Sequence, residues 1–332
     1  MNRILRISAV LLLAVAVLVA CGPQEVKQPP DEVVVQLKWI HQAQFAGFYV
    51  ADQKEFYAEE NIDVTLQAGG SDVPVDTMFA DVVNGETTFA ISAGDQVLVG
   101  RAQGKPIVAI AVIFQKNPWA YATLKGSGID RPQDLVGKKV MVPPQAEIQH
   151  QALLEKLGID PDAMEIIPSE WDARPLISGE IDAHMVYRTG SGLLFWEAGY
   201  EVDFMWVDDY GLRLYGDTIV ATEELIQQDP ELVERFLRAT LKGWRYAIEN
   251  PAEALDLTLQ YDATLGSERQ ARMMETQTPL IHTGEVNIGW MDRSVWHGMH
   301  QMLLDAGILA QPMNVAEVYT MQFLNEAYGE GE

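Results

Sequence analysis

Cysteine is almost absent from this chain: Cys21 is the only one in 332 residues. That excludes a disulfide within the chain and any cysteine-rich metal site. Positive charge is also scarce. Lys and Arg number 23 against 48 Asp and Glu, for a net charge of −25. Nucleic acid is therefore not an expected partner, because its binding rests on cations that neutralise phosphates. Long hydrophobic runs are missing as well. The most apolar stretch, Ile7–Ala20, is shorter than the roughly 20 residues that span a bilayer. No internal repeat is present, and nothing of low complexity beyond one short polar segment.

What is present begins with the N-terminus. Arg3 and Arg6 precede the apolar run, which ends in "LVAC", Leu18 to Cys21. A basic start, an apolar middle and small residues before the cut are the layout of a secretory signal. The final four residues resemble the bacterial lipobox, in which the cysteine is lipidated and becomes the first residue. The expectation is a signal peptide over 1–20 and a Pro-rich tether over 21–32. The lipid on Cys21 would hold the protein on the extracytoplasmic side of the cell membrane without a transmembrane helix.

From Val33 the chain runs for 300 residues, enough for two domains. Strand-like and helix-like segments alternate. "VVVQLKW", "IDVTLQ", "TTFAIS" and "PIVAIAVIF" read as strands, each followed by a helical or turn segment. A helix is expected from the first strand to about Glu60. A second α/β set follows, with strands ending in "KKVMV", "MEIIP", "IDAHMV" and "VDFMWV", and a helix over Glu147–Leu157 closed by Gly158. "DTIVAT" is a return strand, after which the pattern is helical, including a helix over Val315–Ala327. The fold class is α/β, with two doubly wound sheets and a helical C-terminal tail. The first lobe comprises 33–120 and 220–332, and the second, inserted lobe 121–219. Chain crossings near 119–125 and 215–220 would form a two-strand hinge on which the lobes close.

"LKWIHQAQFAGFYVADQKEFYAEENIDVTLQAGG", "VVNGETTFAISAGDQVLVGRAQGKPIVAIAVIFQKNPWA", "PQDLVGKKVMV" and "ISGEIDAHMVY" together resemble the thiamin-precursor-type periplasmic solute-binding proteins of ABC importers. The likeness covers most of 33–222. It implies the two-lobed type II binding-protein fold, a small ligand held between the lobes, and a permease with its ATPase as partners. It implies neither cofactor nor catalysis. Fungal relatives that make a thiamin pyrimidine use a cysteine-rich, iron-linked motif, and this chain has no cysteines to supply one. A surface sensor lipoprotein on the same fold is a further possibility that the sequence leaves open.

In such a fold the C-terminal ends of the strands and the N-termini of the following helices face the crevice. That rule, with residue chemistry, selects the candidate ligand contacts. Trp39, Phe45, Trp119, Trp171 and Tyr187 are expected as stacking walls for a flat ring. Gln42, Gln44, Ser92, Gln115 and Gln145 are expected as polar contacts. Tyr49 reads as half core and half wall, Arg188 as a contact to a ribityl or phosphate oxygen, and Asp95 as an N-cap. His297 and His300 share a helix face, but no third metal ligand of the usual spacing accompanies them.

The chain departs from pyrimidine carriers at one turn. Where those carriers typically read Thr-Asn-Glu-Pro, this chain reads Thr189, Gly190, Ser191, Gly192. The histidine usual in the first segment is Phe45 here. A missing carboxylate disfavours a basic aminopyrimidine, and smaller residues leave room for a wider ring system. The resemblance therefore points to a neutral heteroaromatic vitamin, riboflavin first, with a thiamin precursor such as formylaminopyrimidine as the alternative.

Overall fold

The computed structural model describes residues 28–168 and 172–329. The apolar N-terminal run, the lipidation motif at Cys21 and the candidate Trp171 lie outside the described residues. In chain order the strands are β1 (Asp31–Gln36), β2 (Ile62–Gln67), β3 (Phe89–Ala93), β4 (Ile107–Val112), β5 (Trp119–Leu124), β6 (Lys139–Val142), β7 (Glu165–Pro168), β8 (Ala183–Tyr187), β9 (Val202–Trp206) and β10 (Asp217–Thr222). They form two five-stranded mixed sheets, ordered β2-β1-β3-β10-β4 and β7-β6-β8-β5-β9. β10 runs antiparallel to β3 and β4, and β5 antiparallel to β8 and β9. The expected α/β architecture with an inserted second sheet is what the chain adopts.

Why these segments become strands is plain from composition. β4, "IVAIAV", is buried at every position, as a β-branched run covered on both faces should be. It is also the sheet edge, and an open edge of that kind would invite pairing with another chain. The tail covers it: Ala109 N–H donates to Val318 O at 2.9 Å, Thr320 N–H to Ala109 O at 3.0 Å, and Val112 N–H to Gly289 O at 2.9 Å. This covering corrects one expectation. Segment 315–327 is not one helix but a 3-10 turn, Val315–Glu317, and a helix, Gln322–Tyr328. The residues between them hydrogen-bond to β4 instead. The helix expected to reach Glu60 is likewise two helices, Ala46–Gln53 and Phe56–Glu59, divided at Glu55 with φ of +60°.

The chain passes between the sheets at 113–118 and 207–216, earlier than the hydropathy pattern indicated. Trp119 and Ala120 pair with β8 in the second sheet, whereas Asp217–Ile219 pair with β3 or β4 in the first. Apolar periodicity marks a strand but not the sheet it joins, which is why the boundary was misplaced. The crossings touch each other. Ile113 N–H donates to Asp217 O at 2.7 Å and Gly216 N–H to Phe114 O at 2.9 Å. A Cβ on Gly216 would stand 2.7 Å from Phe114 Cβ, so glycine is what lets the two segments lie together.

The 20-residue helix Pro230–Glu249 anchors the first lobe. Leu232, Val233, Phe236, Leu237, Leu241 and Trp244 repeat at helical spacing and are buried. Phe236 stacks on Phe89 with centroids 3.9 Å apart. This helix meets Ala46–Gln53 at close range. A Cβ on Gly47 would lie 2.1 Å from Trp244 Cδ2, and one on Gly243 would lie 2.2 Å from Gly47 O. The packing that fixes the segment after β1, and hence Trp39, therefore depends on two glycines.

Candidate functional site

A cavity of about 290 Å³ lies between the two sheets. Its walls come from the places the α/β rule names. Lys38 and Trp39 follow β1, Ser92 and Ala93 end β3, and Gln145 and Gln149 follow β6. Trp119 and Tyr187 are direct partners in the antiparallel pairing of β5 and β8. Cross-strand partners share a face, so both side chains reach the cavity, ring edge against ring face, with centroids 5.3 Å apart at 85°. Gly190 and Ser191, from the turn after β8, complete the second lobe's side. Ser191 Oγ accepts from Tyr187 N–H at 3.0 Å and holds that turn closed.

A charged network forms one end of the cavity. The Asp217 carboxylate, 1% exposed, accepts from Lys38 Nζ at 2.5 Å, from Gln44 Nε2 at 2.9 Å and from the Tyr187 hydroxyl at 3.1 Å. Three donors on one buried carboxylate are the condition under which burying it is tolerable. Two of them, Lys38 and Gln44, belong to the first lobe, and Tyr187 belongs to the second, so the network spans the cleft. Burial, followed by the neighbouring Asp217, holds the Tyr187 phenol far above its ordinary range, so it stays a neutral donor. Gln44 Oε1 in turn accepts from Gln42 Nε2 at 2.6 Å.

A second bridge crosses the cleft nearby. Gln149 Nε2, from the second lobe's helix Glu147–Leu157, donates to Asp95 Oδ2 at 2.6 Å. Burial pushes the Asp95 carboxyl up to about 6, against the opposing pull of backbone N–H groups and Lys38. Asp95 is therefore not the N-cap expected from sequence. Ala93 holds that position, and Asp95 sits in the first turn of the helix Gly94–Ala102. A third bridge is Arg269, whose Nη1 pairs with Glu197 Oε2 at 2.9 Å and whose Nη2 donates to Gly190 O at 3.2 Å.

Seven of the residues expected from sequence line the cavity: Trp39, Gln42, Gln44, Ser92, Trp119, Gln145 and Tyr187. Phe45, Tyr49, Gln115 and Arg188 do not. The 3-10 turn Ala43–Phe45 rolls Phe45 into the core, where it is fully buried. Tyr49 is core as well. Its hydroxyl accepts from Gln42 N–H at 3.2 Å and its ring lies on Tyr261, so it supports the turn from beneath. Gln115 Nε2 is consumed by Val112 O and Trp290 O, tying the first crossing to the tail. Arg188 follows Tyr187 directly, and strand alternation sends its side chain to the opposite face. There its guanidinium covers Trp206 at 4.5 Å and Phe204 at 5.4 Å.

Sequence reasoning missed Lys38, Gln96, Gln149 and Arg269, which also line the cavity. For Gln149 a signal existed: it lies in the first turn of the helix Glu147–Leu157, the end that faces the crevice in this kind of fold. His297 and His300 are occupied otherwise, His297 Nε2 accepting from Arg293 Nε and His300 Nε2 from Met313 N–H.

Residues 42–254 match the family model described as NMT1/THI5 like. The riboflavin-binding protein RibY of Chloroflexus aurantiacus is 27% identical over 306 residues, covering 89% of this chain and 86% of that protein. The formylaminopyrimidine-binding protein of Halalkalibacterium halodurans is 27% identical over 256 residues, 75% of this chain and 77% of that one. A 4-amino-5-hydroxymethyl-2-methylpyrimidine phosphate synthase of Legionella pneumophila is 26% identical over 307 residues, 89% and 92% of the two chains. Among solved structures, the periplasmic aliphatic sulphonate binding protein SsuA of Escherichia coli superimposes with a TM-score of 0.70 at 14% identity. It covers 89% of this chain and 99% of that one, a likeness of fold.

Proposed function

The chain belongs to the NMT1/THI5-like family, and from that membership we propose that it is the solute-binding component of an ABC importer for a flat heteroaromatic vitamin, riboflavin before others. The observation that carries this reading is the cavity itself. It has Trp39 from one lobe and the Trp119–Tyr187 pair from the other. Aromatic faces on both sides of a cleft suit a planar ring, whose stacking adds to its apolar burial. Asp217–Tyr187, Asp95–Gln149 and Arg269–Glu197 bridge the lobes beside the cavity, the kind of contact that hinge closure on a ligand makes.

Riboflavin is preferred for two reasons. RibY, a riboflavin-binding protein by name, aligns over 89% of the chain. Gly190 and Ser191 also stand in the cavity wall, and a Cβ at Gly190 would meet nothing nearer than Tyr187 O at 3.6 Å, which leaves room for a wide ring. Formylaminopyrimidine is the second reading, favoured by the relative that is named for binding it. The proposal includes no chemical step. It includes a lipid on Cys21 as the anchor and a membrane permease with its ATPase as the receiver of the closed form.

The test is calorimetric titration of the purified protein with riboflavin and with formylaminopyrimidine, together with the absorbance spectrum of protein grown with flavin present. Saturable riboflavin binding with a copurifying flavin spectrum is expected. Binding of the pyrimidine alone would reverse the preference, and binding of neither would remove the vitamin reading.

A further inference from the structure

The amide groups that the sequence marked as ring partners are largely spent on the protein. Gln44 donates to Asp217 and accepts from Gln42. Gln145 is exposed at the rim. Among the buried cavity amides one stands differently. Gln149 is 1% exposed and lines the cavity. Its Oε1 is buried and has no hydrogen-bond partner among the described residues.

The orientation of that amide is set by its neighbour. Gln149 Nε2 lies 2.6 Å from Asp95 Oδ2. At neutral pH, above the value of about 6 to which burial raises the Asp95 carboxyl, that group is ionised and only accepts, so the nitrogen faces Asp95. Turning the amide over would put two acceptors in contact. The end left for the cavity is therefore the oxygen. Ser92 Oγ is also buried in the wall with no partner among the described residues, but a hydroxyl donates or accepts and does not discriminate. Gln149 Oε1 is an acceptor of fixed sign.

We propose that Gln149 is the specificity-determining residue of this cavity, its Oε1 accepting a hydrogen bond from an N–H of the bound heteroaromatic, so that the site selects ligands with a free imide, lactam or amino N–H over those alkylated at that nitrogen. The inference rests on reading the cavity as a heteroaromatic site. It assigns the positioning of Gln149 to Asp95, so the first lobe sets the polarity that the second lobe presents. A site built to pair with an N–H rejects the analogue lacking it because a buried acceptor is then left unpaired.

The experiment uses matched ligand pairs: riboflavin with riboflavin methylated at its imide nitrogen, and formylaminopyrimidine with its dimethylamino counterpart. Each is titrated into the wild-type protein, Gln149→Leu and Asp95→Asn. The wild type is expected to favour at least one parent over its methylated partner by roughly 10- to 100-fold in Kd. In Gln149→Leu that ratio should fall to about threefold or less. Asp95→Asn, whose side chain no longer imposes one amide orientation, should also narrow it, and it serves as the second reading if Gln149→Leu fails to fold. A ratio that persists in the variants overturns the role of Gln149 and leaves the heteroaromatic reading standing. Failure of every ligand to bind the wild type overturns that reading and the inference together.

Discussion

The Lys38–Asp217 pair gives the most quantitative prediction. Asp217 is 1% exposed, and the Lys38 side chain 19%. At 2.5 Å and an effective dielectric of 20, the gross attraction is about 7 kcal/mol. Most of that offsets the cost of taking two ions out of water. Removing one partner leaves the other buried and uncompensated, which costs ~3–5 kcal/mol in general. Lys38 keeps some contact with water and Asp217 keeps Gln44 and Tyr187 as donors, so the low end applies. Asp217→Asn and Lys38→Met should each lose about 3 kcal/mol in urea unfolding. The double variant should lose about 3–4 rather than 6, because neither charge is then stranded. The coupling expected from the cycle is about 2 kcal/mol or more. If the two losses add to within about 0.5 kcal/mol, the ion pair is not the organising interaction of the cleft.

Gly47→Ala should destabilise the protein by about 3 kcal/mol, read as a lower urea midpoint, because the new Cβ meets the Trp244 ring at 2.1 Å. Gly190→Phe should abolish binding while leaving the melting temperature close to wild type: a Cβ there meets nothing nearer than Tyr187 O at 3.6 Å, and the larger side chain fills the cavity. His150, lowered to about 4 by burial, takes up its proton in the unfolded chain first. Its contribution to stability should therefore fall as pH drops from about 6.5 to 4, by up to ~3 kcal/mol; His184, lowered to about 4 by burial as well, adds a slope of the same sign, so His150→Phe should reduce the slope and leave the His184 part. Asp95, raised to about 6 by burial, has the opposite sign. The folded state binds its proton more tightly, so this group's contribution rises as pH falls from about 6 to 4, and Asp95→Asn should be the more stable protein at neutral pH by up to ~3 kcal/mol. Urea titrations of the two variants across pH 4–8 separate the slopes.

Most of the architecture could be read from local chemistry. Strands such as β4 declare themselves by unbroken apolar composition, and the helix Glu147–Leu157 by its closing Gly158 in the left-handed region. Trp39, Trp119 and Tyr187 were reachable because strand ends face the crevice in this kind of fold. What failed was information held in distant partners. Gln42 and Gln44 line the cavity as expected, but nothing in their segment announces Asp217, 173 residues beyond Gln44, as the partner of Gln44. Phe45 looked like a wall residue because nothing in its own segment announces a 3-10 turn. Lys38, alone among apolar residues at a strand end, reads as a solvated cation, and only the fold brings it to a buried carboxylate. Arg269 belongs to a tail helix whose docking on the turn after β8 has no signal in its own sequence.

The measurement that bears most directly on the central claim is a tryptophan-fluorescence titration of the protein with riboflavin, repeated with Trp39→Ala. The account predicts saturable quenching at low micromolar ligand or below, weakened at least tenfold in Kd by the substitution. Quenching that Trp39→Ala leaves unchanged, or no saturable response to riboflavin at all, would contradict it.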